Sequence, residues 1–186
     1  MMMENVLKEL EAKSEKTIQD LGARLAKIRT GRASAGLLDE IRVNYYGQLT
    51  PLKQMSTITV PEPRLIIIHP YDPSGLKEVE KAILNSDLGL NPHNDGKMIR
   101  IPIPELTEER RKELVKVVRK VAEENRVAVR QERKDAVEKL RKMQKDKQLT
   151  EDDLHKGQDK VQEKIDKTIK RIDELAAKKE KEVLEV

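Results

Sequence analysis

The chain has 186 residues, which is enough for one domain or two small ones. Its 38 basic and 34 acidic residues make 39% of the chain charged, well above the roughly 25% of an ordinary globular protein. Cysteine is absent, which excludes disulfides, thiolate metal sites and thiol nucleophiles, and the three tyrosines are the only aromatic residues. Because no apolar run approaches the ~18 residues needed to cross a bilayer, we expect a soluble, cytoplasmic protein with no membrane partner.

Residues 1–30 predict one long helix, because apolar side chains recur at steps of three and four. Thr30 and Gly31 are expected to end this helix. The predicted buried stripe consists of Leu7, Leu10, Ser14, Ile18, Leu21, Leu25 and Ile28.

Residues 31–104 differ sharply in composition, since they contain all eight prolines and all three tyrosines. A break of this kind marks a domain boundary. Asp72 and Pro73 are suited to start a helix that extends to Ser86. Alternating or β-branched runs predict strands at residues 40–46, 56–60, 64–69 and 98–103. We therefore expect a small α+β domain inserted into a helical one.

Residues 105–186 predict two further long helices, the second opened by a sequence close to a capping box, Thr150 to Asp153. The first stripe is expected to contain Leu114, Val118, Val121, Asn125, Ala128, Glu132, Ala136, Leu140 and Met143. The second stripe is expected to contain Leu154, Val161, Ile165, Thr168, Ile172 and Leu175. Narrow stripes on three long helices predict an elongated three-helix bundle within one chain, so we expect a monomer. An open coiled coil that assembles between chains is the alternative.

The predicted fold class is therefore α+β, with a three-helix bundle formed by residues 1–30 and 105–186 and an inserted domain formed by residues 31–104. Two connections join the domains, and a glycine on one and prolines on the other should confine bending to a few residues. The predicted hinge residues are Thr30, Gly31, Arg32, Pro104 and Glu105.

Motifs of covalent chemistry are missing from the sequence. The three histidines lie in different segments, without the spacing of a metal-binding helix, and there is no GxSxG elbow and no glycine-rich phosphate loop. We therefore expect no enzymatic activity, no metal and no cofactor. Tyr45 and Tyr46 could present a ring for base stacking, but a strand end that packs one tyrosine inward is the favoured interpretation.

Positive charge is concentrated on one predicted helix. Residues 110–147 contain 15 basic and 7 acidic residues, whereas residues 31–104 contain eight of each. Six of these bases project onto one arc of the helix about 100° wide, and we call this arc the basic ridge. It consists of Lys112, Lys116, Arg119, Arg126, Arg130 and Arg133. Four arginines favour bidentate contacts with the phosphates of structured RNA over a merely solvated face with intrahelical ion pairs, which is the alternative.

Five blocks of sequence are spread over both predicted domains: Lys27 to Ser34 (KIRTGRAS), Tyr45 to Gly47 (YYG), Ser86 to Pro92 (SDLGLNP), Leu106 to Lys112 (LTEERRK) and Arg126 to Arg130 (RVAVR). With these blocks the chain resembles the ribosome recycling factor family.

The resemblance implies an L-shaped protein of tRNA-like dimensions, with a long three-helix bundle and a small hinged domain. It implies action on the post-termination ribosome, where elongation factor G and GTP help to split the subunits. It also implies that arginines of the second long helix contact large-subunit rRNA. The matching positions in this chain are Arg110, Arg126, Arg130 and Arg133.

A structural coiled-coil adaptor with a basic face is the alternative from another functional class. Co-sedimentation with ribosomes at moderate salt separates the two, because an adaptor would stay in the soluble fraction.

Overall fold

The computed structural model describes residues 2–185 and divides the chain into two compact units. One unit runs to Arg29 and resumes at Glu108, and the other is Thr30–Thr107. The predicted boundaries were 30/31 and 104/105.

The first unit contains the three long helices, α1 (Met2–Ala26), α4 (Glu108–Lys145) and α5 (Glu151–Leu184). Side-chain contacts fix their directions. Glu9 on α1 accepts from Lys139 and Thr17 donates to Glu132, so α1 runs antiparallel to α4. The capping box predicted at the start of α5 is confirmed, since Thr150 accepts from the Asp153 amide and Asp153 accepts from the Thr150 amide.

The bundle core is aliphatic and is built from all three helices. Buried apolar side chains of all three helices form one cluster, which includes Leu10, Leu21, Val118, Leu140 and Ile165. A polar contact interrupts it where Ser14 and Thr17 both donate hydrogen bonds to the half-buried Glu132 carboxylate, at 3.0 and 2.6 Å. Glu132, an apparent flaw in the predicted stripe, is therefore hydrogen-bonded across the bundle.

The structure corrects two details of the helical prediction. Helix α1 ends at Ala26, and Ile28 packs against the core from the turn that follows. On α4, Ala128 is exposed and Val129 is fully buried. Ala128 lies three residues after Asn125 and Val129 lies four residues after it, and both spacings fit helical periodicity. Burial of Val129 places the larger apolar side chain in the core.

The second unit combines two small antiparallel sheets with two α-helices, one of them a single turn. Strands β1 (Arg42–Tyr45) and β2 (Gln48–Pro51) form a hairpin. A short helix, α2 (Leu52–Met55), follows it directly. Strands β3 (Ser56–Glu62), β4 (Leu65–Pro70), β5 (His93–Asn94) and β6 (Ile99–Pro102) form the other sheet in the order β3-β4-β6-β5.

Helix α3 (Leu76–Leu84) covers the sheets and contacts β1 and β5. Val79 and Ile83 on its inner face are fully buried, as are Ile66 on β4 and Ile99 on β6. A 3-10 turn at Pro73–Gly75 precedes this helix, and the Asp72 carboxylate accepts from the Ser74 amide as predicted for a cap. The predicted fold class, α+β with a three-helix bundle and an inserted α/β domain, is confirmed.

Candidate nucleic-acid interface

The basic ridge lies on α4, and α5 supplies partners for half of it. Arg119, Arg126 and Arg133 are spaced seven residues apart, so they lie on one face of the helix. On α5, which runs antiparallel to α4, Glu180, Asp173 and Asp166 have the same spacing. We call these three arginines and their partners on α5 the arginine ladder, and we call each arginine with its partners on α5 one rung.

The first two rungs of the ladder are ion pairs between the helices. Arg119 Nε donates to Glu180 Oε1 at 2.9 Å, and this hydrogen bond raises the pKa of the guanidinium. Arg126 Nε donates to Asp173 Oδ1 at 2.9 Å. The Arg126 side chain is only 24% exposed. Partial burial acts to lower the pKa of Arg126, but hydrogen bonds to Asp173 and Glu123 outweigh it and leave the pKa raised.

The third rung has a different chemistry. Arg133 Nη1 donates to the amide oxygen of Gln162 at 3.1 Å, and Gln162 Nε2 in turn donates to Asp166 Oδ1 at 2.8 Å. Gln162 lies one helical turn before Asp166 on α5. The guanidinium of this rung therefore meets a neutral amide where the other two meet a carboxylate.

Arg130 lies outside the ladder and pairs within its own helix. Its side chain is 51% exposed, and it donates to Glu123 Oε1 on its own helix at 3.0 Å. Hydrogen bonds from Arg130 and then from Arg126 lower the pKa of Glu123. Because exposed ion pairs of this kind contribute little to stability, the Arg130 fork can exchange Glu123 for a phosphate at low cost.

Arg110 lies near the start of α4, far along the helix from the other predicted contacts. It is exposed and donates to Glu113 at 2.8 Å. Lys112, also on the ridge, pairs with Glu108 at 3.1 Å.

The six ridge residues therefore share one helix, but their arginines have different partners: Arg119 and Arg126 meet carboxylates of α5, Arg130 meets a carboxylate of α4, and Arg133 meets an amide of α5. Sequence reasoning missed the interhelical partners, although the signal was present as acids at heptad spacing on α5. Arg126 is the predicted contact most engaged in holding helices together. Neither the Arg130 nor the Arg133 guanidinium is paired with a carboxylate of α5 in the part of the chain that the structure describes.

The predicted hinge residues lie on two connections that are both fixed to the turn between β3 and β4. The Ala33 amide donates to Pro63 O at 2.7 Å, and the Ile103 amide donates to Arg64 O at 2.8 Å. Arg64 also pairs with Glu105. Thr30, Arg32 and Pro104 lie on the same connections, where Thr30 is half-buried and the other two are exposed.

Gly31 lies on the first connection at a position that favours glycine. Its φ of +73° is a conformation that side chains other than glycine rarely adopt. A Cβ at this position would lie 3.3 Å from Leu106 Cγ on the returning connection.

The described residues contain neither a cluster of three or more His, Asp or Glu side chains that could hold a metal ion nor a helix long and apolar enough to cross a membrane.

Comparison with known proteins agrees with this architecture. The family model described as ribosome recycling factor matches residues 21–184. Ribosome-recycling factors of Alkaliphilus metalliredigens and Clostridioides difficile are 57% and 56% identical, over 100% and 96% of this chain and 100% and 97% of their own lengths.

Solved structures give the same result. A solution structure of the ribosome recycling factor is 39% identical, with a TM-score of 0.81 and coverage of 100% of this chain and 99% of its own. A second structure contains the T. thermophilus ribosome recycling factor together with E. coli elongation factor G, bound to the E. coli post-termination complex. Its recycling factor is 44% identical to this chain, with a TM-score of 0.67 and coverage of 100% of both chains. Both the sequence and the fold match along essentially the whole chain, so the protein belongs to the ribosome recycling factor family.

Proposed function

We propose that this protein binds the post-termination ribosome and, together with elongation factor G and GTP, promotes its dissociation into subunits. The observation that carries the proposal is the full-length match to a recycling factor placed with elongation factor G on a post-termination complex. The charge distribution supports it, because a long helix with an excess of basic residues is suited to an RNA backbone.

The basic ridge is the proposed contact with large-subunit rRNA, and Arg130 and Arg133 are its principal residues. Both carry guanidinium forks that can bind a phosphate through two hydrogen bonds. Arg110 and Arg126 are secondary contacts, since Arg110 lies at the end of the helix and Arg126 is held by Asp173.

A salt titration of large-subunit binding tests this interface. Removal of one phosphate contact lowers the slope of log affinity against log salt by about 0.7–0.9. Arg133→Ala should also weaken binding by an order of magnitude or more, because a charge-assisted hydrogen bond contributes roughly 1.5–3 kcal/mol. Arg133→Lys should recover part of the loss, since lysine keeps the charge but lacks the fork.

Lys170→Ala is the matched control, because Lys170 is an exposed base on α5. Equal affinities and equal slopes for wild type, both Arg133 variants and Lys170→Ala would reduce the ridge to a solvated face.

Under this proposal the protein acts in the cytoplasm, where ribosomes act. Elongation factor G, and not this chain, binds and hydrolyses the GTP. With no phosphate-binding loop in its sequence, the isolated chain should neither bind nor hydrolyse GTP. Stoichiometric GTP binding in isothermal titration calorimetry would contradict this assignment.

We also propose that Thr30, Gly31, Arg32, Pro104 and Glu105 form the hinge between the bundle and the inserted domain. The support is local. Hydrogen bonds of Ala33 and Ile103 tie the two connections to one turn of the inserted domain, which leaves only a few residues free to absorb a change in backbone angles.

A further inference from the structure

The third rung of the arginine ladder departs from the pattern of the other two. Arg119 and Arg126 each meet a carboxylate of α5 directly, at 2.9 Å in both cases. Arg133 meets the amide oxygen of Gln162 at 3.1 Å, and the acid of this rung, Asp166, accepts from the same amide on its other side. The amide therefore stands between the guanidinium and its acid.

An amide and a carboxylate have different effects on a neighbouring arginine. Both accept a hydrogen bond and hold the fork in one orientation, which reduces the entropy lost when a phosphate binds. Only the carboxylate also neutralises the charge and competes with the phosphate. When a phosphate displaces an internal carboxylate, the freed carboxylate attracts a cation, so fewer counterions are released in total.

We propose that Gln162 is a positioning residue of the rRNA interface, which orients the Arg133 fork for a phosphate without neutralising it. The inference rests on the proposed function, because it assumes that the basic ridge meets rRNA. It adds a residue of α5 to an interface otherwise built from α4, and it explains why an arginine within an interhelical ladder remains available for binding.

Gln162→Glu tests the proposal, since it changes one amide to a carboxylate of nearly the same shape. The new carboxylate would complete the third ion pair, so the melting temperature should stay the same or rise slightly. Large-subunit affinity should nevertheless fall by up to about fivefold, less than for Arg133→Ala, because the phosphate must displace an exposed ion pair, and the salt slope should fall by about 0.7–0.9.

Two controls separate this effect from a general change in charge. Gln19→Glu makes the same substitution at an exposed position of α1 and should leave affinity and slope close to wild type. In an Arg133→Ala background, Gln162→Glu should have little further effect, because the guanidinium on which it acts is gone.

The outcomes distinguish this inference from the proposed function. Equal weakening by Gln162→Glu and Gln19→Glu, or a full loss from Gln162→Glu in the Arg133→Ala background, would overturn the role of Gln162 while leaving the ridge as an interface. Wild-type protein that fails to bind the large subunit, or binds it without any dependence on salt, would overturn the proposed function itself.

Discussion

Tyr45 and Tyr46 are neighbours in the chain but have opposite environments. Tyr45 packs against the core of the inserted domain and donates a hydrogen bond to Asp72 at 2.6 Å. Tyr46 lies in the hairpin turn with a φ of +48° and is 80% exposed. Its ring meets the Tyr45 ring edge to face, with centroids 4.5 Å apart. The preference for one inward tyrosine is thus confirmed.

The Tyr45 to Asp72 hydrogen bond predicts two linked titrations. It is the largest cause both of the raised pKa of Tyr45, which is about 12, and of the lowered pKa of Asp72. Tyr45→Phe removes the donor, so the pKa of Asp72 should rise towards its ordinary value, which carboxyl chemical shifts measured by NMR against pH would report. Tyr46→Phe is the control, because its hydroxyl makes the smallest contribution to Asp72. Equal effects of the two variants would contradict the assignment.

The contribution of this hydrogen bond to the free energy of unfolding should be lost at both ends of the pH scale. It is lost at low pH when Asp72 is protonated and at high pH when Tyr45 is deprotonated. The pKa of Asp72 is lowered on folding, so its contribution is present above the unfolded pKa and is lost as pH falls through the folded pKa. The pKa of Tyr45 is raised on folding, so its contribution is present below the unfolded value of about 10 and is lost as pH rises towards about 12. Urea unfolding at alkaline pH should show this loss in wild type and not in Tyr45→Phe.

Substitution of Arg126 should chiefly lower the stability of the bundle, whereas substitution of Arg130 should chiefly weaken large-subunit binding. Arg126 is mostly buried between two acids, so Arg126→Ala should destabilise the bundle by about 1 kcal/mol through lost packing and a lost interhelical pair. Arg130→Ala should change the free energy of unfolding by about 0.5 kcal/mol or less and should chiefly weaken large-subunit binding. Chemical denaturation and salt-dependent binding on the same two variants check this division, and an Arg130→Ala protein that unfolds more easily than Arg126→Ala would contradict it.

The sequence could identify these residues but not their partners. Residue type and helical period were enough to place four arginines on one arc of α4. Which acids they meet depends on the register of α5 against α4, and that register is set by packing of the whole bundle. Gln162 was therefore not a candidate, although heptad spacing of acids on α5 pointed to the ladder.

At the scale of the helix, the burial of Val129 in place of Ala128 can be measured directly. Val129→Ala removes two methyl groups from a fully buried site and should destabilise the protein by about 2 kcal/mol. Val127→Ala is a matched control on the same helix, since that side chain is 55% exposed and its loss should matter by about 0.5 kcal/mol or less. Denaturant unfolding monitored by circular dichroism gives both free energies of unfolding. Equal losses for the two variants would contradict the burial of Val129 in the bundle core.

Elements with a strong local signal were predictable and short ones were not. The three long helices, four of the strands and the helix after Pro73 follow from periodicity and capping residues. Strand β2 was missed because its four residues, Gln48–Pro51, contain a single large apolar residue and end in proline, so they offer no run long enough to predict a strand. Strand β5 has two residues and exists only because β6 pairs with it, so no local pattern could reveal it.

At the scale of the whole molecule, composition indicated an inserted domain because proline and tyrosine are confined to the middle of the chain. The ends of the two connections were harder to place, since Leu106 packs beside Gly31 and belongs with the inserted domain. Contacts between residues distant in sequence decide such boundaries, and a linear pattern does not contain them.

The proposed hinge predicts that subunit splitting needs short, stiff connections while rRNA binding does not. Two glycines inserted between Gly31 and Arg32, together with two between Pro104 and Glu105, should leave both units folded, because loop length has a small effect on closure entropy. Large-subunit affinity should stay at the wild-type value, since the ridge lies wholly on α4. Splitting of post-termination ribosomes with elongation factor G and GTP should be lost, because a loosened second domain cannot transmit force to the bundle. Each insertion alone serves as a control and should keep much of the activity, as the other connection still couples the units. Light scattering measures the rate of splitting. If the variant with both insertions splits ribosomes as fast as wild type, the length and stiffness of the connections do not matter for splitting.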